Sequence, residues 1–187
     1  LESVGRVTSG SCRVALLPSA RKRIEASRAA VESILASGEQ VYGVNTGFGH
    51  LKDIRIPPDR LEALQINLIH SHAAGVGSPL PPDATRAMML LRAHLLARGY
   101  SGVRPLVIET LIAVLNSGIL PIIPEQGSVG ASGDLAPLSH LVLALIGDDV
   151  PDPAPDAHHY PPPAGAWWLT VSWPRSPVRL RTACSQS

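Results

Sequence analysis

At 187 residues, 45% hydrophobic and 4% aromatic, the chain is long enough for one ordinary domain or for part of a larger one. A formal net charge of +1 without any basic run offers no footing for nucleic acid or an anionic membrane, and no apolar run approaches the roughly 18 residues of a membrane span. Cys12 and Cys184 supply neither a disulfide framework nor a metal-ligand spacing, which fits a reducing cytoplasm. Nothing reads as a signal peptide, and the opening Leu1, with no methionine, suggests a true beginning further upstream.

Leu1 to Pro18 is a lead-in with few decisive features. A helix is expected after Ser19 as N-cap, with Ile24, Val31, Ile34 and Leu35 as its buried stripe and Gly38 as its stop. Residues 41–51 then read VYGVNTGFGHL, and three glycines, an asparagine and a threonine around one tyrosine predict an irregular loop. Taken alone, it is a turn with Tyr42 and Phe48 as apolar anchors.

From Pro57 a second helix is predicted as far as His72, with Leu61, Leu64 and Leu68 on one face. Four further residues carry that stripe to His72, so its imidazole is expected to face the interior. His70 lies two positions earlier on another face, which makes the pair a weak metal site. A core histidine with a satisfied hydrogen bond is the plain reading of His72.

Pro82 to Arg98 predicts a helix built around Met88, Leu91, Leu95 and Leu96 and ended by Gly99. Pro105 opens another, in which Leu106, Ile108, Leu111, Ile112, Val114 and Leu115 leave little polar face before Gly118 stops it. A helix apolar on most sides must be enclosed by others. With at least five helices and no convincing strand set, the fold class is mainly α.

Residues 127–140 read GSVGASGDLAPLSH. Gly127, Gly130 and Gly133 fall at every third position; Asp134 can cap a helix and Pro137 sits in its first turn. Leu135, Leu138, Leu141, Val142 and Leu145 then supply an apolar stripe. This is a glycine-rich loop feeding a buried helix. No lysine follows the glycines as a phosphate loop requires, the spacing is not G-x-G-x-x-G, and Ser132 does not sit in G-x-S-x-G. From the glycines alone, a structural turn is the simpler reading.

The full string from Ala131 to His140 resembles the signature of the aromatic amino acid ammonia-lyases, and most closely that of the histidine ammonia-lyases. The resemblance covers roughly residues 1–147 and implies the N-terminal part of the helical fold shared with fumarase and aspartase. In that family an Ala-Ser-Gly triplet cyclises into 4-methylidene-imidazol-5-one (MIO), an electrophile made from backbone with no external cofactor and no metal. Here the triplet would be Ala131, Ser132 and Gly133, with Asp134 at the position of the aspartate that assists cyclisation. Residues 42–49 resemble the family's Tyr-Gly-x-Asn-Thr-Gly-Phe-Gly segment, which implies that Tyr42 is the base removing the substrate β-proton. A phenol with an ordinary pKa of about 10 needs helix ends or hydrogen-bond donors nearby for that task.

Ser71-His72 occupies the position that sorts substrates in the family, where histidine-specific members show Ser-His, tyrosine-specific ones His-Leu and phenylalanine-specific ones Phe-Leu. The implied reaction is non-oxidative deamination of L-histidine to trans-urocanate and ammonia, by a homotetramer. A tyrosine or phenylalanine ammonia-lyase is the alternative. Readings from other classes are an inactive fragment and a helical interaction module whose glycine loop is only a turn.

After Ile146 the character breaks. Residues 148–187 hold eight of the eighteen prolines, all three tryptophans and no helical period. The expectation here is an aberrant end, such as a shifted reading frame, or a disordered Pro-rich tail; no family resemblance extends into it.

Overall fold

The computed structural model describes residues 2–127 and 135–147. Ala131, Ser132, Gly133, Asp134 and the Pro-rich segment from 148 onward therefore lie outside the described residues. Six helices carry the described part: α1 (Glu2–Thr8), α2 (Pro18–Ser37), α3 (Leu61–His72), α4 (Pro82–Leu96), α5 (Pro105–Ser117) and α6 (Leu135–Ile146). Mainly α is the class expected, with one addition. A small antiparallel ribbon pairs β1 (Val76–Pro79) with β2 (Pro124–Gln126), placing Val76 opposite Gln126 and Pro79 opposite Pro124. Neither VGSP nor PEQ alternates apolar and polar residues, so no strand signal exists in the sequence; close approach of the two chains makes the ribbon.

The core forms where α1 and α5 pack on α4. Val7, Met89, Ala93, Leu111, Leu115, Ile123 and Leu141 make one buried cluster, and Ile24, Leu96 and Ile108 a second one beneath α2. Burying each large side chain of this kind contributes about 1.5–3 kcal/mol. Two polar devices tie the lead-in to this core. The Asn116 amide accepts from the Val14 N–H at 2.8 Å and donates to the Val14 carbonyl at 2.7 Å, as a neighbouring strand would. Arg86 Nε donates to the Val7 carbonyl at 3.0 Å, a cation at the C-terminal end of α1.

Several expectations shift in detail. The lead-in contains α1, a helix of seven residues too short to show a period. Pro18, not Ser19, opens α2: its fixed φ suits the first helical position, and Leu17 before it is extended with no side-chain cap. The stops at Gly38 and Gly118 are as expected, both left-handed at φ 71° and 78°. On α2 only Ala20 and Ile24 are buried, while Val31 and Ile34 are half-buried and Leu35 is exposed.

The face of α4 is rotated from the one expected. Thr85, Met89, Ala93 and Leu96 are buried, Met88 is half-buried, and Leu91 and Leu95 stand in the open. Two neighbours, α1 and α5, share α4, and small Ala93 permits their close approach where a leucine would not. On α5, Ile108, Leu111 and Leu115 are buried, but Leu106 in the first turn is exposed. No residue of α3 is fully buried; Leu61, Leu64, Leu68 and His72 are all half-buried against α6 and the preceding 3-10 turn at Pro58–Arg60.

Candidate active site

The loop around Tyr42 is organised from inside by its polar residues. Asn45, 4% exposed, accepts from the Val41 N–H at 2.8 Å and donates to the Glu39 carbonyl at 2.7 Å. Thr46, 2% exposed, donates to the Gly47 carbonyl at 2.9 Å and accepts from the Gly43 N–H at 3.4 Å. Thr46 also pairs with Arg55 in an isolated antiparallel bridge, which closes the loop on itself. These internal bonds leave Tyr42 facing outward, 63% exposed, its ring edge-on to Phe48 with centroids 5.9 Å apart. Both aromatics thus form one small unit, as expected of anchors, but the phenol itself is presented to solvent. Among the described residues its hydroxyl has no hydrogen-bond partner.

Ser71 and His72 end α3. His72 Nδ1 lies 2.8 Å from the Leu68 carbonyl, a distance that requires Nδ1 to carry the proton and leaves Nε2 as the ring's acceptor. The Ser71 hydroxyl donates to the same carbonyl at 2.8 Å and lies 3.1 Å from His72 Nδ1. The imidazole is therefore half-buried against its own helix and does not reach a closed interior; α6 covers only part of α3, so the stripe stops short of full burial. His70 is exposed on another face, and among the described residues no three His, Cys, Asp or Glu side chains gather to hold a metal.

A second histidine, without an assigned role in the sequence reading, joins these segments. His140 on α6 is 3% exposed, and its Nε2 accepts from the Gly75 N–H at 3.0 Å. Its ring occupies the space a side chain at Gly75 would need: a Cβ there would lie 2.9 Å from Nε2 and 3.1 Å from Pro124 Cβ. Gly127 fits equally tightly, since its Cβ would lie 2.9 Å from Ala136 Cβ and 3.0 Å from Gly75 Cα. Three segments thus meet closely: the exit of α3, the end of β2 and the start of α6, the last through its Ala136 and His140 side chains. Residues 127 and 136, which flank the Ala131–Gly133 triplet in sequence, are in contact. Burial lowers the His140 pKa below the ordinary imidazole value. The signal that could have exposed this residue is the row Ala136, His140, Leu143 at helical spacing, a face offset from the leucine stripe.

Residues 1–151 match the aromatic amino acid lyase family. The chain belongs to that family. Among curated relatives, the histidine ammonia-lyase of Anaeromyxobacter dehalogenans (strain 2CP-C) is 55% identical over 162 residues, which is 87% of this chain and 32% of the relative. That of Geobacillus thermodenitrificans (strain NG80-2) is 63% identical over 125 residues, 67% of this chain and 25% of the relative. A solved structure, histidine ammonia-lyase from Trypanosoma cruzi, superimposes with a TM-score of 0.72 at 40% identity, covering 79% of this chain and 28% of that one. The chain therefore spans about a third of the length of the lyases it matches, and the fold seen here is the corresponding part of the helical lyase fold. The family is MIO-dependent.

Proposed function

We propose that the protein, at the full length of its relatives, is a histidine ammonia-lyase that converts L-histidine to trans-urocanate and ammonia without oxidation. The observation that carries this reading is the identity of 55% over 162 residues with a histidine ammonia-lyase, combined with the string ASGDLAPLSH at 131–140. The residues present fit the family's prosthetic group. Ala131 and Gly133 are small enough for the Gly133 amide to reach the Ala131 carbonyl, Ser132 can lose its hydroxyl as water, and Asp134 can assist. Gly127 and Ala136, which flank the triplet in sequence, lie against each other. When formed, the ring supplies an electrophile that no ordinary side chain provides.

The remaining work falls to side chains. Tyr42, facing outward with no hydrogen bond to its hydroxyl among the described residues, would take the β-proton. Deprotonating a phenol near neutral pH requires a positive environment, which the rest of the full-length protein would have to contribute. Ser71 and His72 would orient the substrate, the free Nε2 of His72 accepting from the substrate imidazole. The same reading makes the protein a cytoplasmic homotetramer whose substrate is a free amino acid. None of the helices described is long and apolar enough to cross a membrane.

The test is an intact mass of the full-length protein followed by peptide mapping, which should find the peptide around Ser132 lighter by two waters, one released as the Gly133 amide closes on the Ala131 carbonyl and one from the Ser132 hydroxyl. Urocanate formation, read by its ultraviolet absorbance with tyrosine and phenylalanine as competitors, then assigns the substrate. An unmodified Ser132 in a well-folded preparation would end the lyase reading, and faster turnover of tyrosine would replace histidine as substrate.

A further inference from the structure

His140 is the described histidine with the least solvent exposure, and the proposed chemistry makes no use of it. The ring's one hydrogen bond to a described residue is the one accepted from Gly75, and its Nδ1 is buried with no partner among the described residues. Since Nε2 accepts, the neutral ring carries its proton on Nδ1. Such an arrangement costs free energy compared with an apolar residue of the same shape, because the Nδ1 proton is buried without a described acceptor. What it achieves is positional. Gly75 follows His72 by three residues, so fixing the Gly75 amide fixes the exit of the helix that ends in Ser71 and His72. The ring rises from α6 at its sixth residue, while Gly75 and Gly127 lie within van der Waals reach of one another.

We infer that His140 is a positioning residue: its Nε2 clamps the Gly75 amide and holds Ser71 and His72 at a set distance from the start of α6. The inference rests on the lyase reading for its consequence, not for the clamp itself. The bond is satisfied only by an acceptor at the Nε2 position. Glutamine can place its Oε1 close to there, whereas phenylalanine fills the same space with a C–H. Lowered basicity from burial agrees with a ring that must stay neutral to accept.

Two readouts on the full-length protein test this. Hydrogen exchange at the Gly75 amide should be slow in the wild type and in His140→Gln and faster by about tenfold or more in His140→Phe, as for loss of one buried hydrogen bond. Steady-state kinetics with L-histidine should show KM raised about tenfold in His140→Phe, kcat per active site falling far less, and recovery to within about threefold in His140→Gln. A merely structural role would lower the active fraction in both variants and leave KM where it was; that result overturns the proposal. So does a Gly75 amide that exchanges freely in the wild type. A wild type that turns over none of the three aromatic amino acids would instead sink the lyase reading, and the exchange data would still judge the clamp.

Discussion

Tyr42 stands out at the residue scale because its loop uses its polar groups on itself and leaves the phenol pointing away. If that phenol is the base, Tyr42→Phe in the full-length protein should lower kcat by about 10²–10⁴-fold, the usual worth of a general base. The substitution keeps the edge-on contact with Phe48. KM and the mass signature at Ser132 should hold, so rate assays beside an intact mass would separate a lost base from a lost prosthetic group. Ser71 and His72 make a different prediction. Replacing the pair by His and Leu, as Ser71→His with His72→Leu, removes the free Nε2 acceptor. Competition assays should then show kcat/KM for histidine falling about 100-fold relative to tyrosine, since a polar site that loses its partner discriminates steeply. His140 titrates in the opposite sense to a salt-bridged histidine. Its folded pKa is depressed by burial, so the unfolded chain protonates first, near pH 6.5. The stability it contributes is complete above that pH and drains away as pH falls through the lower folded value. Urea midpoints measured from pH 7 to pH 5 should therefore fall less steeply in His140→Gln than in the wild type. These residues differ in how far the sequence revealed them. Tyr42, Ser71 and His72 stand out as parts of strings; the outward pose of Tyr42 does not, because it follows from internal bonds of Asn45 and Thr46. His140 was hidden because its only described partner is a backbone amide 65 positions away.

Elements obey simpler rules, and their failures are instructive. Helix stops at Gly38 and Gly118 were readable because a left-handed residue needs no tertiary partner. The phase of a buried face was less so. On α4 the leucines at 91 and 95 share a side with each other, and a hydrophobic count alone assigns that side to the core. Met89 and Ala93 win instead because α1 and α5 both pack on the side of α4 that carries Thr85, Met89 and Ala93. The distinction can be measured. Met89→Ala removes a side chain with no exposed surface and should cost about 2–5 kcal/mol, whereas Leu91→Ala, at 56% exposure, should stay within about 0.5 kcal/mol. Denaturant midpoints of the two variants in the 187-residue chain would check the rotated face; comparable losses would mean that Leu91 is covered. The β1–β2 ribbon marks the limit of pattern reading. It has no alternation to detect, and it exists because Gly75 and Gly127 allow two backbones to touch.

At the scale of the whole molecule, the described residues leave several large apolar side chains open to solvent. Leu17, Leu91, Leu95, Leu106 and Ile122 are 67%, 56%, 49%, 49% and 48% exposed, and α3 has no fully buried residue at all. Single exposed leucines are ordinary, but α5 and α6 are so apolar that a face of each reaches solvent through Leu106, Leu135 and Ile146. Among the described residues nothing covers these faces, in a chain that spans 32% of a lyase relative. The 187-residue chain on its own therefore presents bare apolar faces. It should self-associate, with a melting temperature that rises with protein concentration, because association buries what folding leaves bare. Sedimentation velocity across a hundredfold range of concentration would show the shift. Leu91→Lys with Leu95→Lys should weaken association without lowering the melting temperature of the dilute chain, since neither side chain supports the core. A chain that sediments as a monomer at every concentration would show instead that these helices are self-sufficient, and the faces of α4 and α5 would then need no cover from the remaining length of a lyase.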